Sequence, residues 1–416
     1  MKDGVQDNPT RVCVFAPAAE GGHARYVWEL TSALARHDPA RWRYEVVSSI
    51  DLEQQFHSPL YTAHAVLKPL RHRSSYICCF TWIVSRLMHY PRRELAFLRW
   101  LRGRPDIEIV HLQQWTPWLA APFVRRIRAM GKRVVFTVHN VVPHKYPRCV
   151  PRALVRHWIR SACRECDGLF VHTEALADEL SRFLGRPHPP IHVSPHGVWS
   201  TPQNGAARTR PPLEQRLARK RLLFFGAIRR NKGLDLLLSA AAQLPEYSIT
   251  IAGEPLDSAY FARCVVPMVK QLESAGVRVE LHDRFVPEEE LPGLFADHSA
   301  VVLPYTSDFV AQSGVVFLAL AHELPVVASE AGGLASLMRR FGIGVTFSRH
   351  KADTLAAAVR ELHQTRDPAA LARQIRAARE EHSWAAAASA TVQGYRAALD
   401  TQVEINESVV RTSAAC

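Results

Sequence analysis

The chain has 416 residues, 47% hydrophobic and 22% charged, enough for two domains with sizeable cores. No run of eighteen uncharged apolar residues occurs, which excludes an ordinary membrane-spanning helix. The net charge of +13 is lopsided: residues 1–200 hold 28 Lys and Arg against 16 Asp and Glu, whereas residues 201–416 hold 24 against 23. A positive field confined to one half predicts an anionic partner there.

The opening segment, MKDGVQDNPTRVCVFAP, lacks an export-signal pattern, so a cytoplasmic protein with reduced cysteines is expected. Within it RVCVFAP reads as a buried strand. Gly21, Gly22 and His23 follow, opening the helical stretch HARYVWELTSALARH. Paired glycines let a ligand approach the backbone, and the free N–H groups of a helix start favour an anion. YEVVSS is the next strand. Leu70 to Arg104 then carries Arg71, Arg73, Arg86, Arg92, Arg93, Arg99, Arg102 and Arg104 around an apolar run, Tyr76 to Val84. Such a segment suits the headgroup region of an anionic membrane surface, or else a buried helix face with solvated arginines.

IEIVHLQ, RVVFTVHN, GLFVHT and IHVSPHG continue the strand series, with helical stretches such as WLAAPFVRRIRAMG between them. This alternation predicts βαβ units and a parallel sheet. His139 and Asn140 end one strand and His196 another, the positions where open α/β folds bind ligands. Cys163 and Cys166 form a lone CxxC late in a helix with no second pair at zinc-finger spacing, so a structural role is expected.

Residues 200–220, rich in Pro, Gly, Arg and Thr, read as a linker. The pattern restarts with RLLFFGA, YSITIAGE, VRVELHD, SAVVLPY and PVVASE. Directly after the first of these come Gly226, Arg229, Arg230, Lys232 and Gly233, a good grip for a diphosphate, since Arg offers a planar fork and Lys a point charge. After SAVVLPY, Gln312, Ser313, Gly314 and Val315 open a helix and again present N–H groups to an anion. No Asp-x-Asp or clustered His/Asp metal motif is present.

The ordered set resembles the retaining glycosyltransferases of family four over roughly residues 10–400. It comprises a Gly-Gly turn, a strand-end His, S-P-H-G, F-G-x-x-x-x-x-K-G-L-D-x-L-L-x-A, I-A-G, L-P-Y, P-V-V-A-S-x-A-G-G-L and a closing S-W…Y helix. The resemblance implies an α/β, GT-B fold: two Rossmann-like domains whose parallel sheets face a central cleft. The domains expected are 1–200, acceptor-binding, with a helix of about 383–400 packing back onto it; 201–382, nucleotide-sugar-binding; and a frayed tail, 401–416. It implies transfer of a sugar from a UDP- or GDP-linked donor, with retention and without a metal or other cofactor, in bacterial polysaccharide or glycolipid synthesis. Lys232 with Arg229 or Arg230 would hold the diphosphate, with Gly22, Gly226, Gln312, Ser313, Gly314 and Val315 assisting. Glu254 and Arg284, Phe285 and Val286 would lie near the base. His139 would bind the sugar beside the reacting carbon, and Gly21, His23 and Asn140 would meet the acceptor, a sugar or lipid-linked saccharide. Nucleic acid is not an expected partner.

The chain departs from the family at one place. Two glutamates eight positions apart usually precede P-V-V, and those positions here are Val310 and Leu318. The Gln312-Ser313-Gly314 segment resembles a subgroup that uses Gln-Ser-Gly in this loop. An inactive relative serving as a binding protein, and a nucleotide-sugar epimerase of the same fold, are the alternatives.

Overall fold

The computed structural model describes residues 8–19, 21–69, 79–141, 150–200, 210–306, 313–330, 333–348 and 351–413. The chain folds as two compact units: Met1–Gly197 with Trp384–Cys416, and Val198–Ser383.

The first unit is built on β1 (Thr10–Ala16), β2 (Trp42–Ser49), β3 (Thr62–Leu67), β4 (Ile107–Leu112), β5 (Arg133–Thr137), β6 (Gly168–Val171) and β7 (Ile191–Val193). They form a seven-stranded sheet in the order β3-β2-β1-β4-β5-β6-β7, with every pair parallel. The second unit uses β8 (Arg221–Phe225), β9 (Ser248–Ala252), β10 (Arg278–His282), β11 (Ala300–Leu303), β12 (Val326–Ser329) and β13 (Gly344–Phe347). Their order is β10-β9-β8-β11-β12-β13, again parallel. Central strands are buried at successive residues, as in Leu169–Val171 and Ala300–Leu303, so both faces of each sheet are covered. This is why the strands read as continuous apolar runs rather than as alternation. In each sheet the chain reverses direction across one pair, β1/β4 and β8/β11, and the carboxyl end of that pair is where open α/β sheets bind ligands.

Three expectations are corrected. The strand series gains TAHAVL (β3) and GVTF (β13), whose sequence signal is weak because one is a half-exposed edge strand and the other an edge strand in which Gly and Thr break the apolar run. The linker of residues 200–220 is not all linker: Leu213–Ala218 is a helix whose buried Arg216 donates to the carbonyls of His322 (3.1 Å) and Glu323 (2.7 Å). The remainder of that stretch, 201–209, lies outside the described residues. The tail expected to fray from 401 continues the helix Trp384–Ser413, since no Gly or Pro interrupts TQVEINESVVRTS.

That last helix packs on the first sheet. A Cβ at Gly394 would stand 2.4 Å from the Phe170 ring, so only glycine allows the approach. Beside it Tyr395 shares a 2.7 Å hydrogen bond with His111 Nδ1, while His111 Nε2 meets Thr137 Oγ1 at 2.7 Å. The arginines of the 71–104 stretch are not uniformly solvated. Arg93 is buried and donates to the Pro17 carbonyl at 2.7 Å, and Arg104 is paired with Glu45 and Asp106. Arg92, Arg99 and Arg102 are exposed, and the side chains of Tyr76–Val84 fall outside the described residues. Cys163 and Cys166 are buried free thiols. Burial pushes Cys163 up to about 12 and Cys166 well above the usual range, which leaves both unreactive.

Candidate active site

In the second unit the sequence places a basic loop after β8 and a helix start after β11, and the fold brings them together at the sheet's reversal point. Gly226 has φ of +103°, and a Cβ there would stand 3.4 Å from Val315 Cγ2, so the β8 turn abuts the start of the helix Gly314–Ala321. Gly233 has φ of +64°, and a Cβ on it would lie 1.9 Å from the Pro304 carbonyl oxygen. The Asn231 carbonyl accepts from the Thr306 N–H at 3.2 Å. These contacts hold the segment Gly226–Gly233 against the chain leaving β11.

On this scaffold the Lys232 ammonium lies 3.7 Å from the centre of the Tyr305 ring. Tyr305 is fixed in turn: its hydroxyl meets Ser313 Oγ at 2.8 Å, and its carbonyl accepts from Ser329 Oγ at 2.6 Å. Burial, and then the charge of Arg229, lower Lys232 to about 7. Arg229 is half-buried and lowered by burial, and its Nε has no partner among the described residues. Arg230 is exposed, its guanidinium 5.2 Å from the Tyr260 ring centre. The structure therefore separates the two arginines, and it is Arg229 that shares a local field with Lys232. Two basic side chains beside a helix start are an arrangement suited to an anion. Ser313 precedes that helix and makes no side-chain cap, being engaged with Tyr305. Trp199 donates its indole N–H to the Gly314 carbonyl at 2.8 Å.

The turns after β8, β9 and β10 also lie together. The Gly253 N–H donates to the His282 carbonyl at 3.0 Å, and the Ile228 N–H donates to the Glu254 carbonyl at 2.9 Å. Glu254 thus neighbours the Gly226 turn with its side chain exposed. Arg284 pairs with Glu290 at 2.6 Å, Phe285 is 67% exposed and Val286 is buried. Gln312, Val310 and Gly332 lie outside the described residues, and Leu318 is buried in the helix.

In the first unit Gly21 and Gly22 begin the helix Gly21–His37, with open space where a Cβ of either would stand. His139 sits just past β5 among aromatic rings: His23 at 4.9 Å, Tyr26 at 5.1 Å and His172 at 5.1 Å between centres. His196 lies 5.2 Å from Tyr26 and 5.6 Å from His172, and Trp384 lies 5.5 Å from Tyr26. Burial, then the neighbouring imidazoles, hold His139 well below the usual histidine range. His139 Nε2 and Asn140 Oδ1 are buried without a partner among the described residues. Tyr26, His172 and Trp384 join this cluster although the sequence expectations do not include them. One signal points to His172: FTVHN and LFVHT end adjacent strands with the same Val-His pair.

Two parallel sheets, each with turns at its reversal point and one of them followed by a basic loop beside a helix start, give the architecture of the GT-B glycosyltransferases. Residues 20–199 match the pattern of Glycosyltransferase Family 4, and residues 219–365 that of Glycosyl transferases group 1. The glycogen synthase of Mycobacterium tuberculosis is 30% identical over 309 residues, covering 71% of this chain and 69% of that protein. The chain belongs to glycosyltransferase family 4. A D-inositol 3-phosphate glycosyltransferase from an Arthrobacter species is 28% identical over 340 residues, 77% of this chain and 78% of its own. Among solved structures, Anabaena HepE in complex with UDP and glucose shares the fold with a TM-score of 0.65 and 16% identity, over 92% of this chain and 98% of that one.

Proposed function

We propose that this chain moves a sugar from a UDP- or GDP-linked donor to an acceptor hydroxyl with retention of anomeric configuration. The observation that carries this reading is the pairing of Arg229 and Lys232 at the β8/β11 reversal, beside the start of the helix Gly314–Ala321. In the reaction the bond from the sugar carbon to the diphosphate breaks, and a bond to the acceptor oxygen forms while that hydroxyl's proton passes to the departing diphosphate oxygen. Charge develops on the departing diphosphate, and fixed cations stabilise it without rearranging at the moment of reaction. That supports a reaction that needs no metal ion. His139 binds the sugar through a neutral imidazole and is not a nucleophile. The relatives' names, a glycogen synthase and a D-inositol 3-phosphate glycosyltransferase, favour an acceptor rich in hydroxyls. A glycan or lipid-linked saccharide in bacterial polysaccharide or glycolipid synthesis fits that description.

The test is thermal unfolding against a panel of nucleotide sugars, followed by transfer assays with and without EDTA. A donor at a hundred times its Kd adds about 2.7 kcal/mol of stability. Stabilisation by no nucleotide sugar sinks the reading. Binding without transfer or hydrolysis favours an inactive relative, conversion of the donor without acceptor favours an epimerase, and loss of activity in EDTA overturns metal independence.

A further inference from the structure

We infer that His172 is a positioning residue: it holds His139 in the tautomer whose Nε2 accepts a hydrogen bond from a hydroxyl of the bound sugar. The inference rests on the transferase reading given above. The Ser194 carbonyl can only accept, and it lies 3.1 Å from His172 Nδ1, so that nitrogen carries a hydrogen. In a neutral ring His172 Nε2 is then a lone pair, and it lies 3.0 Å from His139 Nδ1. His139 Nδ1 therefore donates in that contact, and His139 Nε2 is left bare. That same Nε2 is buried with no partner among the described residues, an acceptor awaiting a donor.

The surroundings favour neutral rings. His139, His172 and His196 crowd around Tyr26, and a cation on any one would face other imidazoles in a largely buried cluster. The far end of the relay is also held. The Ser194 N–H donates to the Val171 carbonyl at 2.8 Å, and Ser194 Oγ reaches the Ala387 carbonyl at 3.2 Å and Thr391 Oγ1 at 2.9 Å. A carbonyl fixed by β6 and by the helix Trp384–Ser413 thus dictates which nitrogen of His139 is free. Tautomer control through a second side chain is the logic by which an orienting group serves a catalytic imidazole.

The experiment is long-range 1H–15N correlation spectroscopy on the full chain labelled with 15N-histidine at pH 7.5, with His139 assigned by its loss in His139→Gln. Both His139 and His172 are expected with hydrogen on Nδ1 only. A hydrogen on His139 Nε2, or a doubly protonated His172, overturns the proposal. His172→Gln keeps an acceptor toward His139 and a donor toward Ser194, and is expected to preserve the His139 tautomer and hold kcat for UDP-glucose turnover within about threefold. His172→Phe offers neither; it is expected to lose the tautomer and lower kcat roughly tenfold to a hundredfold, with the Kd of UDP unchanged. Equal kcat in the Gln and Phe variants also overturns it. Where the Phe variant does not fold, the wild-type and Gln spectra decide. Absence of any turnover of nucleotide sugars by the wild-type chain sinks the transferase reading instead, and the spectra still settle the relay.

Discussion

The ammonium of Lys232 stands 3.7 Å above the ring of Tyr305, whose hydroxyl is held by Ser313. The ring's negative face favours the charged form, yet burial beside Arg229 wins and lowers the lysine to about 7. A diphosphate bound there as proposed would reverse that balance, because its oxygens would supply the solvation the site withholds.

Diphosphate binding is therefore expected to depend on both cations and on pH. Lys232→Ala and Arg229→Ala should each weaken UDP by roughly tenfold to a hundredfold, the cost of a charge-assisted contact of about 1.5–3 kcal/mol. Arg230→Ala, at the exposed position against Tyr260, should cost less. Above pH 7 the free lysine loses its proton and binding must restore it, so UDP affinity should fall from pH 7 to pH 9 in the wild type. Calorimetric titration across that range, flat in Lys232→Ala, checks the assignment. A pH slope that survives the substitution removes Lys232 from the site.

His139→Ala should lower turnover by about tenfold or more while leaving the Kd of UDP within a factor of about three, if the unpartnered Nε2 meets the sugar as proposed. Steady-state kinetics beside UDP titration separate the two quantities. An unchanged kcat makes His139 a purely structural residue.

Acid should unfold the first unit through its histidines. His111 is held at about 3 by burial, and His139 and His192 are also below their ordinary values. The unfolded chain binds protons near pH 6.5 while the folded chain refuses them, so stability is full above that pH and falls as pH drops toward the folded values. Each such imidazole contributes a slope of about 1.4 kcal/mol per pH unit in that window. Urea unfolding at pH 7, 6 and 5 reads the slope. His111→Gln should flatten it, and an equally steep loss in that variant assigns the effect elsewhere.

Association with anionic membranes is expected to be salt-sensitive and modest. Arg99 and Arg102 are exposed, whereas Arg93 and Arg104 are engaged inside the first unit and cannot contribute. Each exposed basic residue near an anionic surface adds about 1 kcal/mol, screened by salt. Flotation with anionic liposomes at low salt should recover the protein with the vesicles, and high salt should release it. Protein that stays behind at low salt points to a water-soluble acceptor.

The apolar strand runs, their alternation with helices and the turn residues after β8 and β11 are all legible in the order of residues. Buried parallel strands need continuous apolar sequence, and a strand-to-helix turn near an anion needs Gly and cations; both demands are local and leave a local mark. The edge strands β3 and β13 and the short helix inside the linker leave weak marks, because half-exposure, interrupting Gly and Thr, or brevity blurs the pattern.

Tertiary structure alone decided the partners. Nothing in the order of residues shows that His139 and His172, 33 positions apart, share a hydrogen bond, or that Arg229 and not Arg230 joins Lys232. Nor does it show that Gly394 must be small because Phe170 lies against it. Distances between side chains from different strands are set by sheet order and register, and those emerge only when the whole core closes. Sequence by itself determined the fold class and named the candidate residues at the strand ends; the protonation states and pairings among them were decided by burial.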